Sequence, residues 1–166
     1  MTDTAPQEEF VITRTFNSPL EMVWKAFTEV DRLKHWWGTM KVATLNFSPG
    51  GLFHYRMQSP DGQDMWGKFV YREIVPMEKI VFVNSFSDEQ GNTARHPMAP
   101  NWPLEMLNHF TLEEHGGKTT LTLRGRAINA TEEEVKTYND NHESMHIGFT
   151  GTWDQLEAYL SETLNK

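Results

Sequence analysis

Two kinds of hydrophobic pattern divide this chain. Between residues 40 and 128, short segments rich in β-branched and aromatic side chains alternate with turn residues, as in LFHYRM at 52–57. After residue 142 the apolar side chains recur at helical spacing instead. Strands joined by short turns make an antiparallel sheet, and one long amphipathic helix can bury its apolar stripe against that sheet. The pattern predicts a single α+β domain over residues 9–166, preceded by a loose tail at 1–8.

Local signals define the elements near the N-terminus. The β-rich heptapeptide FVITRTF predicts a strand at 10–16. Ser18 is a predicted helix N-cap and Pro19 suits the first turn, so a helix is expected to run to about Val30. A second short helix is predicted over DRLKHWW, ending at Gly38. The domain therefore opens with one strand and two short helices.

The rest of the sheet and the closing helices follow in series. About six to seven strands are expected in total. After the strand at 10–16, the sequence predicts strands at 40–47, 52–57, 65–75, 79–86, 105–114 and 118–128. Thr131 and the acidic residues after it predict a capped helix start. After a break at 139–141, a long helix is predicted from about 142 to 163. Its inward stripe consists of His142, His146, Phe149, Trp153, Leu156 and Leu160. A curved sheet covered by this helix would enclose a cavity.

Charge and composition exclude several classes of protein. The net charge is −8 and no block of Lys or Arg offsets it, so no nucleic-acid partner is expected. The absence of cysteine excludes disulfides and thiolate metal sites. No glycine-rich nucleotide motif and no nucleophile elbow occurs, and no cofactor is predicted. The N-terminal residues lack a signal-peptide pattern and the aliphatic runs are too short for a membrane span, so we expect a cytoplasmic protein.

Five segments together resemble a known family. They are TRTFNSPLEMVWKAFTE (13–29), HWWG (35–38), SPGGLFHYRM (48–57), REIVPMEKIVF (72–82) and WDQLEAYL (153–160). In this order they resemble the SRPBCC superfamily, which has the START-like or helix-grip fold of the birch-pollen allergen. Within it, they resemble the branch named after homologues of the activator of the heat-shock protein 90 ATPase. The resemblance implies the same sheet, short helices and long C-terminal helix around a cavity.

The resemblance implies a function as well as a fold. It implies non-catalytic binding of an apolar or amphipathic small molecule, lipid-like or polyketide-like, inside the cavity. One alternative is a protein-interaction module that modulates a chaperone. The chaperone activator carries a separate N-terminal chaperone-binding domain, and we expect no such domain within these 166 residues. A second alternative is an enzyme acting on a cavity-bound substrate, although no catalytic residues carry over from the family.

The segment HESMH at 142–146 has the His-Glu-x-x-His spacing of zinc proteases. On a helix its two histidines share a face and could hold one metal ion. A catalytic zinc needs a third ligand, yet the chain has Phe149 near the position of the metzincin glycine and Thr152 at that of the third histidine. We therefore interpret His142 and His146 as the start of the inward stripe near one mouth of the cavity. There they would bond the sheet, a water or a ligand, and no metal site is predicted.

Bulky side chains along the strands and the last helix are the predicted ligand contacts. Residues of equal parity share a face of a strand, which relates Phe53 to Tyr55 and Phe69 to Tyr71. Trp66 is a further candidate for the cavity wall. Plain core packing explains the same pattern, because parity does not show which face has a void. The predicted contacts are Trp37, Phe53, Tyr55, Phe69, Tyr71, His146, Phe149 and Trp153.

Three polar features lie outside that set. Arg14 shares parity with the apolar residues of its strand, so it needs a partner, and an acidic side chain of the protein is favoured over a ligand carboxylate. His54 and Arg56 have the opposite parity to Phe53 and are predicted on a solvated face. The loop at 87–103 is long for a hairpin connection and is a lid, a partner surface or a simple connection.

Overall fold

Twelve elements of secondary structure form in the part of the chain that the structure, a computed structural model, describes: residues 9–37, 40–58, 62–95 and 99–164. The strands are β1 (Phe10–Phe16), β2 (Met40–Leu45), β3 (Leu52–Gln58), β4 (Asp64–Val75), β5 (Lys79–Ser87), β6 (Thr93–Ala94), β7 (Glu105–His115) and β8 (Lys118–Ile128). The helices are α1 (Leu20–Thr28), α2 (Val30–Trp36), α3 (Glu132–Asp140) and α4 (His142–Leu164).

All strands belong to one sheet with the order β1-β8-β7-β5-β4-β3-β2, and β6 pairs with β5. Every pairing between described strands is antiparallel. The predicted α+β fold with an antiparallel sheet and a long C-terminal helix is confirmed. The two-residue strand β6 was not predicted, because it lies inside the loop at 87–103 and carries no apolar alternation.

Alternation along the strands gives the sheet two unlike faces. On the face toward the helices, Phe82 of β5 lies between Tyr71 of β4 and the β7 strand, and Ile80 pairs with Phe110. This face and the helices share the main core. Val81 and Val83, of opposite parity, form a separate small cluster with neighbours on β7 and β8. The main core therefore lies entirely between the sheet and its helical layer.

The start of α1 corrects one prediction. Pro19 occupies the N-cap position, and no side-chain hydrogen bond caps the helix there. The prediction of Ser18 as the N-cap is therefore wrong. Instead, the backbone N–H of Leu20 donates to the Glu114 carboxylate at 3.0 Å, and the Ser18 carbonyl accepts from the Thr119 hydroxyl at 2.8 Å. The end of β7 thus supplies the acceptor that a local cap would have provided.

The first helix is also shorter than predicted. Glu29 has an extended backbone (φ −112°, ψ 120°) and separates α1 from α2, so Val30 begins the second helix rather than ending the first. Gly38, the predicted end of the second helix, lies outside the described residues, as do the predicted tail at 1–8 and Pro97 of the long loop.

The two closing helices lie close to their predicted positions, but the predicted inward stripe of the last helix is only partly confirmed, because His146 is exposed and His142 and Phe149 are only partly buried. Thr131 caps α3 in a reciprocal pair: its hydroxyl accepts from the Glu134 N–H at 3.1 Å, and the Glu134 carboxylate accepts from the Thr131 N–H at 2.9 Å. Asn141 separates α3 from α4. Within α4, Trp153 and its partners at helical spacing, Leu156 and Leu160, are fully buried. No helix in the described ranges has the length and apolarity needed to cross a membrane.

The long loop after β5 is fastened at both of its ends. Near its start, the Lys68 ammonium donates to the Gly91 carbonyl at 3.0 Å, and the Asp88 carboxylate accepts from nearby backbone N–H groups. Farther along, Arg95 pairs with the buried Glu134 of α3 and donates to the Trp102 carbonyl at 3.3 Å. The loop is thereby tied to the outer face of the sheet and to α3.

Candidate functional site

A small apolar cavity lies between the sheet and the two short helices. Its volume is about 10 Å³, which is room for about one water molecule. Pockets for drug-sized ligands span roughly 300–1,000 Å³, so the protein's own side chains nearly fill the expected cavity. The lining residues are Phe27, Leu33, Trp37, Phe53, Phe69, Tyr71, Ile80, Phe82 and Phe110.

Aromatic rings form a continuous floor on the sheet side of this cavity. Phe69 stacks on Phe82 with ring centroids 4.2 Å apart, and Phe53 meets it edge-on at 5.2 Å. Phe82 in turn meets Phe110 edge-on at 5.0 Å. Because these rings sit on adjacent strands, the register of the sheet fixes their positions. The floor is rigid and presents only apolar surface.

Trp37 closes the cavity from the helical side. It follows the last residue of α2 and its backbone is no longer helical (φ −87°, ψ 91°). Its half-buried ring lies 6.2 Å from Phe27, 6.0 Å from Phe69 and 6.2 Å from Trp153. The indole therefore fills space between a helix and the sheet, although its backbone lies just beyond the last residue of α2.

Trp153 contacts the same region from α4. It is 1% exposed, and its ring lies 5.8 Å from Phe27 and 6.2 Å from Phe110. Its indole Nε1 is buried and has no hydrogen-bond partner among the described residues. The other indole at the centre of the core, that of Trp36, donates to the Ala26 carbonyl at 3.0 Å. The two neighbouring tryptophans thus differ in whether their polar atom is satisfied.

Two phenols lie beside the aromatic floor. The Tyr55 hydroxyl accepts from the Asn84 amide at 3.3 Å, and its ring covers Gly67, where an added Cβ would stand 2.6 Å from the hydroxyl oxygen. Burial raises the pKa of Tyr55 to about 12. Burial, with a smaller effect of Tyr55, also raises the pKa of Tyr71 above its ordinary value. Both phenols therefore stay neutral at physiological pH.

The histidines of the HESMH segment lie in the first turns of α4, on the N-terminal side of Trp153. The rings of His142 and His146 both meet the Phe10 ring edge-on, at 5.5 and 5.4 Å between ring centroids. The His146 Nε2 lies 3.1 Å from the Val11 carbonyl and donates to it. Phe149 packs on the same Phe10 ring at 5.7 Å. Nowhere in the described ranges do three His, Asp or Glu side chains approach closely enough to hold a metal ion.

Arg14 has the internal acidic partner that its parity predicted. Its guanidinium lies 2.7 Å from a carboxylate oxygen of Asp154 and 2.7 Å from one of Glu157, both on α4. The hydrogen bond with Asp154 is the larger cause that raises the pKa of Arg14. The pair fastens β1 to α4, and it leaves the guanidinium engaged on two sides.

The outer face of the sheet corrects the prediction for Trp66. Trp66 pairs with Arg56 and Ser87 and has the parity opposite to Phe69, so it lies away from the cavity. The His54 ring stacks on it at 4.9 Å, and the Arg56 guanidinium lies 5.9 Å from its ring. The predicted outward direction of His54 and Arg56 is confirmed, but Trp66 half-covers both side chains.

The structure brings together part of the predicted contact set. Trp37, Phe53, Phe69 and Tyr71 line the cavity. Tyr55 and Trp153 lie one layer behind it, whereas His146 and Phe149 gather at Phe10 instead. Ligand contact stays a prediction for all eight. Sequence reasoning missed five lining residues, Phe27, Leu33, Ile80, Phe82 and Phe110. Parity along 79–86 relates Ile80 to Phe82, but only the sheet register places Phe82 opposite Tyr71 and Ile80 opposite Phe110.

A wider groove runs along the surface between α2 and α4. Its volume is about 380 Å³, and its lining residues are His35, Trp36, Gln155, Ala158, Tyr159 and Glu162. The Tyr159 ring stacks on His35 at 6.0 Å, and its hydroxyl accepts from the Arg32 guanidinium at 3.3 Å. This groove is open to solvent and is more polar than the cavity.

Comparison with known proteins gives one family and a consistent fold. A family model described as "Activator of Hsp90 ATPase homolog 1-like protein" matches residues 17–161. A protein of Mycobacterium smegmatis is 25% identical with a TM-score of 0.74, over 93% of this chain and 91% of that one. A protein of Arthrobacter aurescens is 25% identical with a TM-score of 0.75, over 94% and 87%. A Nitrosomonas europaea protein, 20% identical with a TM-score of 0.74, matches 98% of this chain and 99% of its own. Comparison with curated proteins gave no match.

Proposed function

Because the chain belongs to the Activator of Hsp90 ATPase homolog 1-like family, as the five sequence segments predicted, we propose that it binds an apolar or amphipathic small molecule between its sheet and its helices. The observation that carries this proposal is the aromatic cavity that Trp37 closes. Nine apolar or phenolic side chains surround it, which suits a ligand held by removal of its surface from water. Binding is non-catalytic in this proposal.

The volume of the cavity decides how a ligand enters. A space of about 10 Å³ admits no organic molecule, so a side chain has to leave. Trp37 is the candidate because its backbone already lies beyond the end of α2, so its indole can move without breaking a helix or strand. The other lining residues stand within regular elements. In this proposal Trp37 occupies the binding site of the ligand-free protein.

The exchange of Trp37 for a ligand sets a minimum ligand size. Burial stabilises by about 25 cal/mol per Å² of apolar surface, and a tryptophan side chain buries roughly 150–250 Å². Exposing part of the indole costs that burial, so a ligand has to cover more apolar surface than Trp37 gives up. A two-ring or larger molecule meets this requirement.

Native mass spectrometry of freshly purified protein tests the proposal first, since a co-purifying small molecule would be detected directly. The neutral probe N-phenyl-1-naphthylamine tests it independently by the rise in its fluorescence on entering an apolar site. We expect Trp37→Ala to bind this probe more tightly than the wild type, because the variant no longer has to expel an indole. Trp66→Ala is the matched control, since it removes an indole from the opposite face of the sheet.

Equal responses of the two variants would refute a site at Trp37. No bound mass and no probe response in the wild type or in Trp37→Ala would refute ligand binding altogether.

The family description, together with the groove between α2 and α4, supports modulation of a chaperone ATPase as a second candidate. The groove presents Tyr159 and His35 beside the acidic Glu162, a mixed surface of the kind found at protein contacts. Adding the purified protein to the heat-shock protein 90 of the same organism tests this candidate. Stimulated ATP hydrolysis that Tyr159→Ser reduces would support it, and unchanged hydrolysis would exclude it.

A further inference from the structure

The indole of Trp153 lies one layer behind the cavity, next to Trp37, the side chain that a ligand would replace in the proposed function. We propose that the ligand is an uncharged molecule carrying a hydrogen-bond acceptor, such as a ketone, ester or ether oxygen, which pairs with the Trp153 Nε1–H. This inference rests on the function proposed above and specifies the chemistry of the ligand. Two independent features carry it: an unsatisfied donor and the absence of an available positive charge among the described residues around the cavity.

The donor is buried where the protein offers it no acceptor. Trp153 is 1% exposed and its Nε1 has no partner among the described residues. Its ring is surrounded by the rings of Phe16, Phe27, Trp36, Trp37, Phe110 and Phe149, with centroids between 5.5 and 6.5 Å away. Three of these rings also line the cavity. Buried donors are nearly always paired in folded proteins, so an unpaired one beside a cavity points to an acceptor supplied from elsewhere.

The neighbouring indole of Trp36 has a partner within the protein, although Trp102 Nε1 and the Tyr138 hydroxyl are also buried without one among the described residues, farther from the cavity. The Trp36 and Trp153 indoles belong to the same aromatic cluster, with centroids 6.4 Å apart, and both are almost fully buried. Trp36 donates to the Ala26 carbonyl at 3.0 Å, so the backbone of α1 satisfies it. A ligand acceptor would give the Trp153 N–H the hydrogen bond that the Ala26 carbonyl of α1 gives the Trp36 N–H.

Charge excludes an anionic ligand from the same space. None of the nine described residues that line the cavity is a cation, and a carboxylate buried without one is strongly disfavoured. Arg14, which lies on the helical face of the sheet, is engaged by Asp154 and Glu157. The protein's net charge of −8 opposes an anion further. A fatty acid or other carboxylate is therefore a poorer ligand than a neutral molecule of the same shape.

Three naphthalenes of nearly equal size separate these possibilities. 2-Acetylnaphthalene has a neutral acceptor, 2-isopropylnaphthalene has none, and 2-naphthoate is an anion at pH 7. Their affinities are measured by calorimetry with the full chain, as wild type and as Trp153→Phe. We expect the wild type to bind the ketone about tenfold more tightly than the hydrocarbon, the effect of one buried hydrogen bond. Naphthoate is expected to bind more weakly than the hydrocarbon.

The variant locates the effect at the indole. In Trp153→Phe we expect the ketone and the hydrocarbon to bind with equal affinity, because the variant has no indole N–H for the ketone oxygen to accept from. Equal binding of ketone and hydrocarbon by the wild type, or a ketone advantage that survives in Trp153→Phe, would overturn the inference. Tighter binding of naphthoate than of the hydrocarbon would overturn the charge argument. If only the hydrocarbon bound, the function would stand and this inference alone would fall, whereas no binding of any of the three would remove both.

Discussion

The two central indoles allow a test that needs no ligand. Trp36→Phe and Trp153→Phe make the same chemical change at neighbouring buried positions. The first removes a satisfied donor, which bonds the Ala26 carbonyl at 3.0 Å, and the second removes an unsatisfied one. The free energies of unfolding of the two variants should therefore differ, although the loss of buried apolar surface is the same.

The size of that difference follows from the separate contributions. Replacing an indole by a phenyl ring removes about three ring atoms, or roughly 2 kcal/mol of buried apolar surface. Trp36→Phe also loses a hydrogen bond worth about 1 kcal/mol, which gives a total loss of about 3 kcal/mol. Trp153→Phe instead recovers the roughly 1–3 kcal/mol that an unpaired buried donor costs. Its net change should lie within about 1 kcal/mol of zero.

Urea denaturation followed by tryptophan fluorescence and far-UV circular dichroism measures both variants. The protein is first unfolded and refolded, so that no co-purified molecule contributes. With a slope of about 2 kcal/mol per molar urea, Trp36→Phe should shift the midpoint down by about 1.5 M while Trp153→Phe stays near the wild type. Equal shifts for the two variants, with unchanged slopes, would show that the Trp153 N–H has a partner such as an ordered water. The argument for an acceptor-bearing ligand would then fail.

Other substitutions test the packing and the charges around the site. Gly67→Ala should cost about 1–3 kcal/mol, because its Cβ would stand 2.6 Å from the Tyr55 hydroxyl, whereas Gly148→Ala, with open space on α4, should stabilise by about 0.5–1 kcal/mol; thermal unfolding compares the two. Arg14→Met should cost about 1 kcal/mol in low salt and less in 1 M NaCl, because its two carboxylate partners are partly exposed; an equal loss in both salts would contradict an ion pair. The Thr131 N–H and then Arg95 hold the pKa of Glu134 below 4.5, so its contribution to stability is complete above that pH and is lost as the pH falls below it. Glu134→Gln should therefore flatten the acid side of the stability profile, and an unchanged profile would show that Glu134 does not contribute.

Local signals in the sequence predicted the elements of the fold well. The strands at 10–16 and 118–128 match to the residue, and Thr131 caps α3 as the sequence predicted. The partner of Arg14 was also predictable, because a charge among inward-facing apolar residues requires one. In the strands and the cap the determining contacts are local in the sequence. For Arg14, a buried charge without a partner is strongly unfavourable, so a partner is required.

Long-range contacts explain what the sequence did not show. Ser18 has the composition of an N-cap, but Glu114, more than ninety positions away, satisfies the first turn of α1. Trp66 has the size of a cavity residue, but its pairing with Arg56 of β3 and its stacking on His54 place it on the outer face, as its parity opposite to Phe69 already allowed. The volume of the cavity was equally out of reach, because it is a small difference between the space enclosed by the sheet and helices and the space filled by many side chains.

The unpartnered donor of Trp153 lies directly behind the nearly filled cavity. A core selected for stability alone has no use for a polar atom at its centre, because phenylalanine at position 153 would fill most of the same space without an unsatisfied N–H. The aromatic neighbours of Trp153 cannot accept its proton in an ordinary hydrogen bond, and no described backbone carbonyl does so. Local departures from good packing chemistry are concentrated where a protein exchanges stability for function. The unpartnered donor of Trp153 adjoins Trp37, the one lining residue whose backbone lies beyond a regular element, so an unsatisfied polar atom and the side chain that can leave without breaking a helix or strand lie next to each other at the same cavity.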